Sequence, residues 1–188
     1  MPILTPRLQI KPRQIGEGKL IAAAINESIE HLRPWMPFAR QPAEVGNTEE
    51  HCRRSLADFI LREDFVLSIY SRDGSTFIGS TGLHRPNWEV RSFEIGYWIR
   101  AQFEGQGMIT ESTIALTRFA FEVFKARRLE IRCDARNVRS LKVMQRLGFA
   151  QEGVLKFHSQ SEADIPTDTL ITARYNLDQL PPLAVSWA

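Results

Sequence analysis

The sequence predicts an α+β fold, α/β in its strand–helix alternation, with about seven strands interleaved with helices in one domain. Three observations carry this expectation. The chain has 188 residues, against roughly 100–150 for a usual domain, so a single core accommodates it. Short apolar/polar runs of period 2 alternate with segments of helical period. One strand stops at a glycine-rich turn that feeds directly into a helix.

Leu8 and Ile10 alternate with Arg7, Gln9 and Lys11, a first strand that Pro12 ends. Leu20 to Ile29 is helical. The two prolines of Leu32-Arg33-Pro34-Trp35-Met36-Pro37-Phe38 forbid a regular helix, and its two aromatics place it beside a groove. Asn47 with Glu50 reads as a capping box, and Cys52, Leu56, Phe59 and Ile60 follow at helical spacing. Phe65 to Tyr70 and Thr76 to His84 are strands joined by a turn at Asp73-Gly74. Arg91 to Arg100 is the next, with Phe93, Ile95, Tyr97 and Ile99 on one face and Glu94, Gly96, Trp98 and Arg100 on the other. From Met108 the period is helical, with Leu116, Phe119, Ala120, Val123 and Phe124 as its apolar stripe. Leu129 to Asp134 is a strand, and Val138 to Leu147 is a helix capped by Asn137 and closed by Gly148. Phe149 to Phe157 and Thr167 to Tyr175 complete the series. Residues 1–178 form the expected domain, and 179–188, with Pro181 and Pro182, read as a tail without a fold of its own.

Composition excludes several functions. Lys+Arg number 24 and Asp+Glu 22, a net charge of +2 with the signs interspersed, so no basic stripe is present to hold nucleic-acid phosphates. No apolar run approaches the roughly 20 residues of a membrane helix, and the start lacks the apolar core of a secretory signal. Cys52 and Cys133 lie far apart, outside any CxxC pair, and read as reduced cytoplasmic thiols. The four scattered histidines give no metal site.

A glycine turn between a strand and a helix aims backbone N–H groups and the positive end of the helix dipole at one place, which makes Glu104-Gly105-Gln106-Gly107 an anion-site candidate. Turn geometry alone would also explain two glycines. Nucleotide hydrolysis is disfavoured because no Lys follows Gly107 as a P-loop requires. The third glycine of a dinucleotide fingerprint is missing as well.

In their order and spacing these stretches resemble the GNAT superfamily of N-acetyltransferases, and within it the RimJ/RimL-like branch that acetylates ribosomal-protein N-termini. The likeness covers nearly the whole chain. It runs through Leu32 to Pro37, Ile78-Gly79-Ser80, Glu94 to Ile99, the glycine loop with Thr110-Glu111, and Asn137, Ser140 and Gly148-Phe149 followed by Glu152-Gly153. It implies the GNAT fold: a central, mostly antiparallel mixed sheet of six to seven strands, splayed at the cofactor site and flanked by helices on both faces. It also implies acetyl-CoA as cofactor, with CoA as product, and an amine acceptor. The family's loop, Q/R-x-x-G-x-G/A, falls on Glu104 to Ile109, departing from the pattern at both ends; the alternative register, Gln102 to Gly107, satisfies the letters but shifts the loop relative to Thr110-Glu111. By resemblance the amides around Gly105, Gln106, Gly107, Met108, Ile109 and Thr110 would bind the pyrophosphate, with the acid of Glu104 close by. Backbone groups of Ile99 and Ala101 would pair with the pantetheine arm, Asn137 would stand beside its end, and Arg139, Arg136 or Lys142 would meet the 3′-phosphate.

Attack on a thioester requires a neutral amine, a polarised carbonyl and a stabilised thiolate. Glu94, the acid on the Gly96/Trp98 face, is the candidate base, directly or through a water; an ion pair with an arginine such as Arg91 is the competing reading. A backbone N–H near Ile99 could polarise the carbonyl. Many GNAT enzymes carry a tyrosine acid at the position of Met144, which cannot donate a proton, so the resemblance nominates Ser140 instead. Trp35, Phe38, Trp88 and Trp98 are candidates for lining the acceptor groove, although core packing would also explain each. The acceptor is expected to be a protein N-terminal α-amine. A small-molecule amine (an antibiotic or polyamine) and a non-catalytic acyl-CoA-binding module are the alternatives, in a cytoplasmic monomer or homodimer without nucleic acid or membrane as partner.

Overall fold

In chain order the elements of the computed structural model are β1 (Ile3–Leu4), β2 (Leu8–Pro12), α1 (Gly18–Glu27), α2 (Ile29–Leu32), α3 (Val45–Leu61), β3 (Phe65–Ser71), β4 (Phe77–Asn87), β5 (Ser92–Ile99), α4 (Met108–Glu122), β6 (Arg128–Asp134), α5 (Val138–Arg146), β7 (Ala150–Gln160), β8 (Pro166–Arg174) and β9 (Ser186–Trp187). The structure describes residues 2–161 and 163–187; Ala188, the end of the expected tail, lies outside them with Met1 and Glu162. All strands join one sheet in the order β7-β8-β6-β5-β4-β3-β2-β1-β9. Every pairing is antiparallel except that of β5 with β6. Helices cover both faces. Ile114, Leu116 and Met144 of α4 and α5 pack on Leu67, Ile69, Phe93, Ile95 and Ile131, while Ile21, Ile25 and Cys52 of α1 and α3 pack on Tyr70, Phe77 and Trp98.

The alternation in β5 follows the sequence, and Gly148 ends the α5 turn at φ +68° as a C′ glycine does. Three details differ. The sheet gains β1 and β9, which pair with each other, so the last residues return to the core: Trp187 stands edge-on to Phe119, and Leu183 O accepts from Arg118 Nη1 at 3.0 Å. Asn47 lies inside α3, whose N-cap is Glu44, and its Nδ2 donates to Glu44 Oε2. Ile60 faces outward, 70% exposed, because α3 closes on α1 and β3 over a narrower stripe than its periodicity suggests.

The glycine loop is tied to the start of the chain through Glu111 in the first turn of α4. Its carboxylate is 6% exposed and accepts from Thr5 Oγ1 at 2.6 Å, Arg7 N at 3.0 Å and Arg7 Nε at 2.6 Å, while Arg7 Nη1 donates to Gln106 O at 2.9 Å. Burial alone would raise this carboxyl, but the bonds from Thr5 and Arg7 outweigh it and hold it below the usual range. Stability from a depressed carboxyl is present above its unfolded pKa and is lost as pH falls through the folded value. Glu111→Gln should therefore cost about 2 kcal/mol at pH 7 and flatten the acid side of the stability curve. Denaturant melts of both proteins between pH 3 and 7 check this; parallel curves would contradict it.

Candidate active site

β5 and β6 are paired only over Ser92–Glu94 and Arg128–Glu130, after which they part. At the fork, Glu94 stands opposite Glu130, and arginines offset the two like charges. Arg85 Nη1 is 2.8 Å from Glu94, Arg132 Nε lies 2.7 Å from Glu130 and 3.6 Å from Glu94, and Arg128 Nη2 is 2.8 Å from Glu130. Arg100 N donates across to Ile78 O on the β4 side at 3.0 Å. Main-chain groups alternate in direction along a strand, so those of Tyr97 and Ile99 point into the gap.

A cavity of about 320 Å³ fills that gap, lined by Tyr97, Trp98, Ile99, the glycine loop, Asn137, Ser140 and Val143. Gly105 and Gly107 have φ of +74° and +77°, left-handed values that favour glycine, and a Cβ at Gly107 would stand 3.5 Å from Arg7 Nη2. The first α4 amide to find a helical acceptor is Glu111 N, on Gly107 O at 3.0 Å. Helix geometry leaves the amides before it free to bind an anion. Asn137 Oδ1 accepts from Ser140 N, and Ser140 Oγ lies 2.6 Å from Tyr97 Oη. Burial pushes the Tyr97 phenol up to about 12 despite that bond, and the Cys133 thiol beside Ser140 to about 11.

A second cavity, about 390 Å³, opens from the same place toward α3 and the segment from Trp35 to Phe38. Trp35, Met36, Tyr97, Trp98, Asn137 and Ser140 border both, so the two meet at the splayed edge of β5. Its wall carries His84 and Asp64, with His84 Nδ1 2.7 Å from Asp64 Oδ1. A carboxylate accepts only, which leaves the lone pair of a neutral imidazole on Nε2. The ring lies over two glycines: a Cβ on Gly82 or Gly96 would stand 2.6 or 3.0 Å from Nε2.

A sheet forked beside an amide-rich turn provides a slot for a thioester's long arm, and residues 7–150 match the acetyltransferase (GNAT) domain family. The chain is a GNAT acetyltransferase. The Bacillus subtilis protein named "Putative ribosomal N-acetyltransferase YdaF" is 33% identical over 141 residues, covering 73% of this chain and 74% of that protein. The Escherichia coli ribosomal-protein-serine acetyltransferase is 38% identical over 128 residues, 66% of this chain and 70% of that one. In fold, the chain is similar to RimL, a ribosomal L7/L12 alpha-N-protein acetyltransferase solved with coenzyme A: TM-score 0.84 at 20% identity, over 93% of this chain and 97% of that one. As a GNAT acetyltransferase it is an acyl-CoA-dependent enzyme acting on amines, with acetyl-CoA as donor.

Within this GNAT enzyme, Gly105, Gly107, Met108, Ile109, Thr110, Asn137 and Ser140 line the first cavity together with Glu104 and Arg139. Gln106 does not line it; its carbonyl holds Arg7 and its Nε2 donates to Gln102 O. The Ala101 amide is taken by Ser28 Oγ at 3.0 Å, which leaves Ile99 and Tyr97 as the free edge. Trp35 and Trp98 stand at the junction and Phe38 on the second cavity, whereas Trp88 packs on Phe65, Phe93 and Phe124 away from both. Glu94 lines neither cavity. Tyr97, His84 and Asp64 escaped the sequence reading; the signal available for Tyr97 was the vacancy of a hydroxyl at Met144, a residue 1% exposed. The acid of Glu104 pairs with Arg139 Nε and with His31 Nδ1 at 3.1 Å across the cavity mouth. Glu104→Gln should remove a negative charge facing the pyrophosphate amides and tighten acetyl-CoA binding about three- to tenfold, most at low salt. Calorimetric titration of both proteins measures this; weaker binding by the variant would show that the Glu104–Arg139 pair itself builds the site.

Proposed function

We propose that this enzyme acetylates the N-terminal α-amine of a protein, of the ribosomal-protein type. The observation that carries the reading is the meeting of two cavities at Tyr97 and Trp98, one shaped for the donor and the other rimmed by exposed Phe38 and His51. An extended chain end can enter such a rim. The names of the B. subtilis and E. coli relatives support the same acceptor.

Bound acetyl-CoA supplies an activated acetyl thioester. Free amides of the glycine loop and the α4 start hold its pyrophosphate, Tyr97 and Ile99 offer their main-chain edge to its arm, and an Ile99-side N–H polarises the carbonyl. His84 Nε2, oriented by Asp64, accepts the proton of the amine. Glu94 was the expected base, but it is paired with Arg85 and Arg132 at the fork and lines neither cavity. Tyr97, at about 12, keeps its proton at neutral pH. Giving it to a thiolate whose acid titrates near 8.5 would run uphill by roughly 5 kcal/mol. The Tyr97–Ser140 pair therefore supplies a hydrogen bond to the leaving sulfur rather than a full proton.

Thiol release from acetyl-CoA with peptides beginning in Ser, Ala or Thr tests the reading. His84→Ala should lower kcat at least about 100-fold with acetyl-CoA affinity unchanged, and Glu94→Gln less than about tenfold. Acetylation of free amines in place of every peptide would refute the acceptor; the reverse ranking of the two variants would restore Glu94 as base. Ser140→Ala and Tyr97→Phe should each lower kcat about tenfold without weakening acetyl-CoA binding, and full turnover by both would remove the pair from the mechanism.

A further inference from the structure

The second cavity contains a cation without a counter-charge. Arg13, just after β2, is 4% exposed and lines that cavity with Ser80, Val66 and His51. Its side chain has one hydrogen bond, from Nη2 to Ser80 Oγ at 2.8 Å, while Ser80 in turn donates to Leu67 O at 2.8 Å. Arg13 Nε is buried without an acceptor. Among the described residues no carboxylate lies within 4.0 Å of the guanidinium.

Other charges on the wall are matched. Asp64 holds His84, Arg132 holds Glu130, and Arg136 holds Asp134. Glu17 is the acid whose field reaches Arg13, but it is engaged by Ser68 Oγ at 2.9 Å, Tyr70 Oη at 2.7 Å and the Gln14 amide at 3.1 Å. His51, in the same wall, is shifted down by desolvation and then by the charge of Arg13, which disfavours a second cation beside it. Burying an unpaired charge is costly, and an arginine in that position is stabilised when a ligand supplies the anion. Ser80 pairs with Trp98 across β4 and β5, so Ser80 stands about one strand spacing, roughly 5 Å, from the junction where the amine would react, and the Arg13 fork lies one hydrogen bond of 2.8 Å beyond its Oγ.

We propose that Arg13 anchors a carboxylate of the acceptor: the preferred N-terminus carries an Asp or Glu side chain in its first two residues. This rests on the N-terminal reading above. That span matches a side chain on the first or second residue of an extended peptide, which advances about 3.4 Å per residue. The open edge of the planar guanidinium, Nη1 with the second N–H of Nη2, takes a carboxylate in two bonds. The same charge disfavours polyamines, which would bring more cations to it.

The test measures kcat/KM for peptides that carry Asp or Glu at position one or two against their Asn and Gln counterparts. Wild type should prefer the acid at least tenfold at one of these positions. In Arg13→Met the acid-to-amide ratio should fall to within about twofold, and Arg13→Lys should keep part of it. The melting temperature of Arg13→Met should not fall, since the variant removes an unpaired buried charge; should it fall so far that the fold is lost, the wild-type ratio and the Lys variant decide. Equal use of acid and amide peptides, or a preference that survives Arg13→Met, overturns the anchor while leaving N-terminal acetylation standing. Acetylation of free aspartate or glutamate but of no peptide, with the same loss in Arg13→Met, keeps the anchor and overturns the N-terminal reading. If no acceptor is turned over, calorimetric binding of N-acetylated Asp and Asn peptides to wild type and Arg13→Met applies the same ratio, and equal binding overturns the anchor.

Discussion

The short parallel pairing of β5 with β6 is the constraint from which the site follows. Continued pairing would consume the edge groups of Tyr97 and Ile99 in the ladder and close both cavities. The strands instead part just beyond Glu94 and Glu130, two acids placed side by side and held by three arginines. Like charges opposite each other in a sheet destabilise it unless cations intervene, so the arginine cluster fixes where the fork begins. In the mechanism proposed above, Glu94 serves the site through backbone geometry.

A second constraint acts on the loop. The net charge of +2 suggests no anion partner, yet free amides at a helix start need no surplus lysine to hold a pyrophosphate. They need a fixed loop. Arg7 fixes it by bonding Gln106 O while pairing with buried Glu111. The cofactor loop, β2 and the first turn of α4 therefore move as one unit, and that unit includes the residue opening the family match. The returning chain end adds to it, because β9 pairs with β1.

What the sequence made legible was local. The Asp73-Gly74 turn, the two faces of β5, the Asn137 cap and the glycine loop each depend on residues a few positions apart, where period and turn chemistry act directly. The two-residue strands β1 and β9 carry no period of their own and exist because opposite chain ends meet. The decisive side-chain pairs were hidden for the same reason. His84 finds Asp64 across 20 positions, Tyr97 finds Ser140 across 43, and Arg13 finds Ser80 across 67. Register brings them together, and register is a property of the whole sheet. Glu94 looked catalytic because it was the one acid on its face; the two arginines that engage it stand on its hairpin partner β4 and on β6.

The alternation of β5 also keeps apart the two groups proposed above as base and as hydrogen-bond donor to the leaving sulfur. Gly96 and Trp98 share the face covered by His84, while Tyr97 projects to the opposite face and meets Ser140 of α5. In the mechanism proposed above, an amine entering through the second cavity would meet Nε2 on one face of β5, and the departing sulfur would lie toward the other, beside the hydroxyl pair. The glycines complete the arrangement. A Cβ at residue 82 would stand 2.6 Å from the His84 ring and one at residue 96 would stand 3.0 Å from it, so a glycine on each of β4 and β5 leaves the room that the ring occupies.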